Sequence, residues 1–543
     1  MFEREDSDTS SEVFLSFRRR RVLRLSSSED DTSVDDEAEL ERRSRRRSRG
    51  ADNICDGTEW FDPKGNQPNI VPFTRTSGAK TTNEKVRICT KAGEFYALFV
   101  TDEIFQHISE QTNHYATQCR IISKRTTNWT PTNKNELKRL FGLLIWMGMV
   151  NLPSLRLYWS QDPLFSQTFP RTIMSRDRFE ILMRMVHFAD NEAAVANNRL
   201  SKIQFIIDEL NTNFQKYYDP PELLCIDESL IPFRGRIVFR QYLKQKKHKY
   251  GIKIFKLCCS HGYTYNCHVY TGKALDRENT TPSNVVMSLL KNLFHRGHTL
   301  CTDNWYTSID LANRLIEKNT HLIGTLRTNR RGNPSEVIKT NLKRGQVIAK
   351  ENNQGITVLK WKDKRDVLVL STKHSNEMIN VKTKRGFCCK PKIIVEYNKA
   401  KTSIDLSDQM SAYSSPLRRT LKWYKKLAFE LCLNTAVVNS LFVFQEVTGQ
   451  KISITEFRRQ LVNELTQRED EQIPRPAEKI LHKLQKKEGD VHKVRKYCSG
   501  CYAENSRLFG PKIAKNLTKK VVTFCYMCKS QPYFCLECFN KAH

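Results

Sequence analysis

The sequence lacks an apolar run long enough to cross a membrane. Its longest such run, residues 141–150, has about half of the roughly 20 residues that a spanning helix needs. The first 30 residues also lack the apolar stretch of a secretory signal, because charged side chains interrupt them throughout. We therefore expect neither a membrane protein nor a secreted one. The hydrophobic content of 39% is enough for a packed core and excludes a wholly disordered chain.

The 17 cysteines do not form a recognisable disulfide framework. Eleven are spread between Cys55 and Cys432, and six form three C-x-x-C pairs between Cys498 and Cys538. An odd total and clustered pairs argue against a secreted disulfide scaffold. They predict a reduced compartment and a metal site near the C-terminus.

Acidic residues are scarce relative to basic ones. The chain has 90 Lys and Arg against 59 Asp and Glu, a net charge of +31. Residues 1–50 have a net charge of −1, so the other 493 residues carry +32. Such an excess predicts a polyanionic partner, namely nucleic acid. A basic protein that is merely soluble is the alternative.

The N-terminal segment, residues 1–50, is rich in Ser, acid and Arg and is predicted to be disordered. Its Arg clusters at residues 18–21 and 42–49 are candidate nuclear-import signals, which predict a nuclear protein with import factors as partners. An Arg-rich tail that contacts DNA, or nothing, is the equal alternative.

Hydrophobic periodicity divides the rest of the chain. It predicts helices around residues 137–145, 176–188, 202–217, 282–294, 404–410 and 427–447. It predicts a hairpin at 250–259 and 263–271, and strands at 346–349, 357–361 and 367–371. The apolar runs 223–227 and 298–303 each end in an aspartate. They are interpreted as buried strands that end at a carboxylate.

Four aspartates form a candidate metal site. Asp227 and Asp303 follow the two apolar runs, and Asp405 and Asp408 share one helix face at i and i+3. Converging carboxylates suit magnesium, and two such ions could cut a phosphodiester. The alternatives are chance, a helix cap at Asp303, and a first-turn acid at Asp405.

At these residues the chain resembles the piggyBac transposase family, from about residue 99 to residue 543. The segments that carry the resemblance are EQTNHYA, ELKRLFGLLIWMGMVNLPSLRLYW, MSRDRFEILMRMVHFADN, IDESLIPFRGR, KYGIK, TDNWYTS, GTLRTNRRGNP, YNKAKTSIDLSDQM and CFNKAH. The resemblance implies an α/β protein with an RNase H-like catalytic core, interrupted by an insertion domain. It also implies a flanking α-helical DNA-binding and dimerisation domain and a C-terminal cross-brace zinc finger.

The same resemblance implies a function. Asp227, Asp303 and Asp405 match the family's catalytic aspartates and Asp408 its additional acid, so all four are expected to be catalytic and to bind two Mg²⁺. The expected partner is double-stranded DNA, as transposon ends and as TTAA target, bound by a homodimer. One departure is Thr402-Ser403-Ile404, where the family usually has Gly-Gly-Val. Ser403 is a good N-cap, so we expect the helix to survive.

The expected domains follow from this interpretation. Residues 51–95 form a linker, and residues 96–221 with 415–474 form the helical DNA-binding and dimerisation domain. Residues 222–329 with 392–414 form the catalytic core, residues 330–391 the insertion domain, and residues 475–543 the zinc-binding domain.

Two basic segments are candidate DNA surfaces. Nine Lys or Arg without an intervening acid occupy residues 234–256, which suits a phosphate backbone near the metals. In residues 418–426, cations alternate with aromatics, which suits an unpaired base on Trp423. The alternatives are a solvated hairpin and a buried Trp423. The predicted DNA-binding residues are Arg234, Arg236, Arg240, Lys244, Lys246, Lys247, Lys249, Arg418, Arg419, Lys422 and Trp423.

The C-terminal segment supplies seven plain zinc ligands, with redox thiols as the alternative. They are Cys498, Cys501, Cys525, Cys528, Cys535, Cys538 and His543, and the candidates for an eighth ligand are His482 and His492. Eight ligands would hold two structural Zn²⁺. Residues 475–543 carry 15 basic and 5 acidic side chains, which favours DNA binding over protein binding.

The predicted function is a nuclear DNA transposase, a nuclease and strand transferase. The main alternative is a domesticated DNA-binding or chromatin protein that keeps the fold without transposition. A chromatin adaptor that works through the zinc finger alone would leave four matched acids unexplained.

Overall fold

The computed structural model describes residues 59–65, 70–122, 129–193, 198–244, 246, 248–259, 262–272, 281–383, 386–418, 420, 422–467, 482–528 and 530–542. The predicted disordered tail and both candidate import signals lie outside these residues. The chain divides between Gln467 and Arg468 into two compact units.

The helices of the first unit are mostly short. They are α1 Glu84–Arg87, α2 Ala92–Ala97, α3 Asp102–Ile122, α4 Lys134–Met149, α5 Phe169–Ile173, α6 Arg176–Met185, α7 Gln204–Lys216, α8 Pro282–Leu290, α9 Ile309–Ile316, α10 Ser335–Lys339, α11 Lys392–Ala400, α12 Thr402–Ala412, α13 Trp423–Thr448 and α14 Ile454–Thr466. Residues Leu155–Trp159 add a 3₁₀ turn.

The strands of the first unit are β1 Trp60–Phe61, β2 Gly78–Ala79, β3 Tyr218–Asp219, β4 Leu223–Pro232, β5 Gln241–Tyr242, β6 Tyr250–Cys259, β7 Thr264–Val269, β8 Thr299–Thr302, β9 His321–Thr325, β10 Val347–Asn352, β11 Thr357–Lys362, β12 Asp366–Ser371, β13 Met378–Thr383 and β14 Gly386–Pro391. All the segments predicted as strands are strands, and the 250–271 hairpin is confirmed as the antiparallel pair β6–β7.

Ten strands form one mixed sheet in the order β1-β10-β11-β12-β9-β8-β4-β6-β5, with β7 also paired to β6. Strands β4, β8 and β9 are parallel to one another, and β6 and β7 continue from β4 antiparallel. The fold is therefore α/β, as expected, and β7-β6-β4-β8-β9 form its RNase H-like core. Strands β10–β12, which come from the predicted insertion, extend the same sheet beyond β9.

Helix α4 illustrates how the sequence specifies the helical layer. Its N-cap Asn133 accepts a hydrogen bond from the backbone of Glu136, which satisfies one end donor. The predicted apolar face is fully or almost fully buried: Leu137, Leu140, Phe141, Leu144 and Ile145. Helix α14, more than 300 residues later in the chain, packs against α4 and α2. This layer therefore joins segments from both ends of the first unit.

Helix α13 is long and apolar enough to cross a membrane by length and composition, but 94% of its apolar window is buried inside the protein. It is a core helix, and it contains a π-helical segment at Leu431–Thr435. Near its N-terminal end, Tyr424 and Leu427 join the core.

The second unit is built from short elements. They are β15 Leu484–Lys486, α15 Val491–Val494, β16 Lys496–Tyr497, α16 Ser499–Phe509, α17 Pro511–Leu517, β17 Lys520–Val521, β18 Thr523–Cys525 and α18 Leu536–Ala542. Strand β15 pairs with β18, and β16 pairs with β17.

Candidate active site

Strand register brings the first two aspartates side by side. Parallel strands β4 and β8 pair Ile226 with Thr302, so Asp227 and Asp303, the next residue of each, lie at the same level. The expectation that the first strand ends at Asp227 was wrong. Strand β4 continues to Pro232 because its second half pairs with β6 along its whole length.

A turn fixes the carboxylate of Asp303. Its Oδ1 accepts hydrogen bonds from the backbone N–H of Trp305 at 2.9 Å and of Tyr306 at 3.4 Å. Asp303 therefore caps the turn that follows β8, whereas helix α9 has its own N-cap at Ser308. A glycine on β9 makes room for this turn, since a Cβ at Gly324 would lie 2.2 Å from Thr307 Oγ1.

The two carboxyl groups are electrostatically strained. Burial, the neighbouring Glu228 and Asp303 together raise the pKa of Asp227 well above its usual value. Burial and Glu228 raise the pKa of Asp303 to about 6, although the two backbone donors and Arg327 act in the opposite direction. A site that opposes its own negative charge in this way favours a bound cation.

Helix α12 lies across the same face of the sheet. Its Ile404 packs in a buried cluster with Cys225 of β4, Cys258 of β6 and Cys301 of β8. One turn later, Asp408 Oδ1 accepts a hydrogen bond from Ser229 of β4. The helix therefore carries Asp405 across the part of β4 between Cys225 and Ser229, which contains Asp227.

The start of α12 differs from the expected cap. The helix does survive the Thr-Ser-Ile replacement, but its N-cap is Lys401, and Ser403 is buried inside the first turn. Asp405 is an exposed first-turn acid, as the dipole alternative also predicts. Asp408 forms a further ion pair with the Nζ of Lys256 at 3.0 Å.

Glu228 was not predicted from the sequence. It raises the pKa of both Asp227 and Asp303, and the hydroxyl of Tyr306 donates to its Oε2 at 3.5 Å. Lys253 lies 3.8 Å from its Oε1. Its position next to Asp227 in the sequence was the one signal that could have identified it. Alternation along a strand argued against it, because neighbouring side chains point to opposite faces.

These side chains suit an oxygen-ligated divalent ion. Magnesium needs a few carboxylates and keeps several waters, and the half-buried Asp227 and Asp303, with raised pKa values, offer hard oxygen ligands next to the helix that carries Asp405. A bound cation would relieve the repulsion that raises these pKa values. The donor set therefore fits Mg²⁺.

The two predicted DNA surfaces meet in one groove. Arg234 and Lys249 from the first segment, and Arg418 and Lys426 from the second, line a groove of about 840 Å³. Even the two that are nearest in sequence across the groove, Lys249 and Arg418, are 169 residues apart. The groove is thus a tertiary feature that neither segment reveals alone.

The remaining predicted DNA-binding residues differ in exposure. Arg236, Arg240, Lys244 and Lys422 are exposed, and Lys246 is half-buried. The half-buried Trp423 packs edge-on against Phe239 at 5.3 Å, so it anchors α13 at least in part. Lys247 and Arg419 lie outside the described residues.

Two clusters of cysteine and histidine side chains in the second unit could each hold a metal ion. The Sγ atoms of Cys498, Cys501, Cys535 and Cys538 lie within 4.8 Å of one another, and so do the ligand atoms of His482, Cys525 and Cys528. The two groups alternate along the chain, which is the cross-brace arrangement. His482 joins a group, whereas His492 belongs to neither among the described residues. His543 lies outside the described residues.

A local contact explains a glycine between two of these cysteines. A Cβ at Gly500 would lie 2.8 Å from both Cβ and Sγ of Cys538. The C-x-x-C turn can therefore approach the second pair closely. Four thiolates, or two thiolates with His ligands, are typical of structural zinc.

Comparisons with known proteins agree with this geometry. The family model described as Transposase IS4 matches residues 91–441, well over half of the chain. The chain is 26% identical over 385 residues to the human PiggyBac transposable element-derived protein 2, covering 67% of this chain and 63% of that protein. It is 23% identical over 440 residues to the human protein 5 of the same series, covering 76% of this chain and 82% of that protein.

A solved structure is also similar. It is a piggyBac transposase in a synaptic complex with hairpin DNA, with a TM-score of 0.65 and 28% identity over 72% of this chain and 83% of that chain. The chain spans less than two thirds of the length of human proteins 2 and 3, at 63% and 64%.

Proposed function

Because the chain belongs to the piggyBac transposase family, we propose that it is a transposase that cuts DNA and joins the ends to a target at TTAA sites. The observation that carries this proposal is the pairing of Asp227 with Asp303, whose pKa values are raised because they are buried beside other acids. Such perturbed carboxyl groups, next to a helix that presents Asp405, are expected of a metal-dependent catalytic site.

In this proposal the aspartates have distinct tasks. Asp227 and Asp303 hold the divalent ions from the sheet, Asp405 holds them from α12, and Asp408 is the additional acid on that helix. Two bound Mg²⁺ would activate a water and stabilise the leaving oxygen of a phosphodiester. The backbone amides of Trp305 and Tyr306 keep Asp303 in place before an ion arrives.

The groove defined by Arg234, Lys249, Arg418 and Lys426 is the proposed path for the DNA backbone. Its cations would neutralise phosphates, and each phosphate contact contributes about −0.9 to the slope of log K against log salt. The C-terminal unit, with two Zn²⁺ and a basic surface, is proposed to bind transposon ends. A homodimer in the nucleus is the proposed working state.

A cleavage assay tests the proposal. Purified full-length protein, Mg²⁺ and a DNA duplex that carries the element's end next to TTAA should give nicked and then hairpin products. Asp227→Asn or Asp303→Asn should abolish these products and leave DNA binding within about twofold. Binding without any cleavage by the unsubstituted protein would instead support the domesticated DNA-binding alternative.

A further inference from the structure

Lys256 is almost completely buried, with 1% of its side chain exposed, on strand β6 next to β4. An isolated buried ammonium is very unfavourable, so its partners must justify its position. Its Nζ lies 3.0 Å from Asp408 Oδ1, and antiparallel pairing sets Lys256 directly opposite Asp227.

Asp408 receives a second hydrogen bond at the same oxygen. Ser229 Oγ donates to Oδ1 at 2.7 Å, from the strand next to β6. One carboxylate oxygen of α12 is therefore held by donors from two neighbouring strands. Such an arrangement restricts both the rotation of the helix about its axis and its position along β4.

Helix α12 buries little apolar surface. Its buried residues are three serines and a single apolar residue, Ile404. The backbone at Gly262 packs closely against the helix, since a Cβ at Gly262 would lie 3.0 Å from the backbone nitrogen of Ser407. A helix with so little apolar burial gains little orientation from packing. Its orientation therefore depends on polar contacts, namely those of Asp408 with Ser229 and Lys256 and the hydrogen bond between Ser407 Oγ and Thr264 Oγ1 at 3.3 Å.

We propose that Lys256 is a positioning residue of the candidate active site, which clamps Asp408 to the sheet and so fixes where the first turn of α12 presents Asp405 along β4. This inference rests on the proposed function, because it concerns the geometry of the proposed metal ligands. Lys256 is not itself a metal ligand, because a charged ammonium group offers no lone pair. It acts through α12, whose first turn carries Asp405 and whose second turn carries Asp408.

The contrasting possibility is an ion pair that contributes only to folding. Breaking a buried pair by removing one partner costs stability in either case. A measurement that reports on the carboxylates themselves is therefore needed. Lys360 provides a matched control, because it is also a buried lysine in the same sheet, with its Nζ bonded to Ile338 O and 3.4 Å from Asp366.

The experiment measures Mn²⁺ binding to the full-length protein by electron paramagnetic resonance of the free ion. Asp227→Asn defines the background that comes from other sites. Lys256→Met should weaken Mn²⁺ binding at the Asp227-dependent site at least tenfold, and Lys256→Arg should stay within about threefold. Lys360→Met should lower the melting temperature similarly and leave Mn²⁺ affinity within twofold.

Ser229→Ala removes the other donor to Asp408 Oδ1 and leaves every charge and proposed ligand in place, so it remains informative if Lys256→Met fails to fold. It should bind Mn²⁺ at least threefold more weakly, because Asp408 then keeps only one of its two donors. An affinity within twofold of the unsubstituted protein, in either variant, would overturn the proposal. So would the absence of Asp227-dependent Mn²⁺ binding in the unsubstituted protein.

The same measurement separates this inference from the proposed function. If the unsubstituted protein binds Mn²⁺ through Asp227 but cuts no DNA, the proposed function fails. The comparison of Lys256→Met with Lys360→Met then still decides whether Lys256 positions the carboxylates.

Discussion

Replacing Asp303 by Asn should stabilise the metal-free protein at neutral pH. The pKa of this carboxyl group is raised from 3.8 to about 6 by burial and by Glu228. The folded state therefore binds the proton more tightly than the unfolded state does. As the pH rises from about 4 to about 6, folding stability falls, and above that range the whole penalty remains. A shift of about two units corresponds to about 3 kcal/mol.

The substitution removes that penalty but retains the shape of the side chain and its acceptor oxygen. We expect a gain of about 1–3 kcal/mol at pH 7.5, because water reaching a half-buried group weakens the penalty. For a unit of about 400 residues, such a gain would raise the melting temperature by about 1–4 °C. At pH 4 the difference should almost vanish, since the folded carboxyl is then protonated.

Differential scanning calorimetry at both pH values, in magnesium-free buffer without chelator, would test this. Chelator is left out so that it does not remove the zinc ions proposed for the C-terminal unit. Asp310→Asn is the control, because Asp310 is an exposed first-turn acid and its removal should slightly lower stability. Added Mg²⁺ should stabilise the unsubstituted protein and not Asp303→Asn. An Asp303→Asn protein that is equally or less stable at pH 7.5, or a gain independent of pH, would refute the electrostatic reasoning.

Three further outcomes follow from the structure. Native mass spectrometry should find two zinc ions per chain. One ion should be lost in Cys501→Ser or in His482→Ala, whereas His492→Ala should retain both, and loss of zinc from His492→Ala would contradict the ligand grouping. Fluorescence anisotropy with end DNA from 50 to 300 mM salt gives the slope of log K against log salt, which Lys249→Gln and Arg418→Gln should each reduce by about 0.9. Lys339→Gln on α10 should leave it unchanged, and slopes of the groove variants equal to that of the unsubstituted protein would exclude the groove as a phosphate path. Deleting residues 475–543 should lower that slope by several units, and an unchanged slope would mean that the tail does not bind DNA.

Much of the fold was predictable because its elements are local. The apolar stripe of α4, the period-2 segments of β10–β12 and the β6–β7 hairpin each depend on a few neighbouring residues. The side-by-side placement of Asp227 and Asp303 could not be predicted from local sequence, because it depends on which strands pair and in what register. The extension of β4 beyond Asp227 was missed for the same reason.

Lys256 shows what charge patterns alone cannot establish. It belongs to the segment of nine cations, residues 234–256, that was interpreted as a DNA surface, although it was not among the predicted DNA-binding residues, and it is buried against Asp408. Lys253 and Lys256 are three residues apart on one strand, so they point to opposite faces of the sheet. With the faces of β6 covered by other elements, at least one of the two had to find a partner inside the protein. Which one does so is decided by α12, about 150 residues later.

The basic groove and the grouping of the zinc ligands also depend on contacts between segments that are distant in sequence. Arg234 and Arg418 come together only through the tertiary fold. The choice of His482 over His492 depends on the pairing of β15 with β18, which brings His482 to Cys525. Ligand types and spacings were visible in the sequence, whereas the grouping of the ligands was not.

The central claim is that the aspartates of β4, β8 and α12 together cut and join DNA with a divalent ion. The most direct test is a strand-transfer assay with a labelled transposon-end duplex and a plasmid that contains TTAA sites. With Mg²⁺, the unsubstituted protein should join the end to the plasmid at TTAA, and Asp405→Asn should bind the same DNA without forming any joined product. Joining by Asp405→Asn within tenfold of the unsubstituted rate would contradict the account.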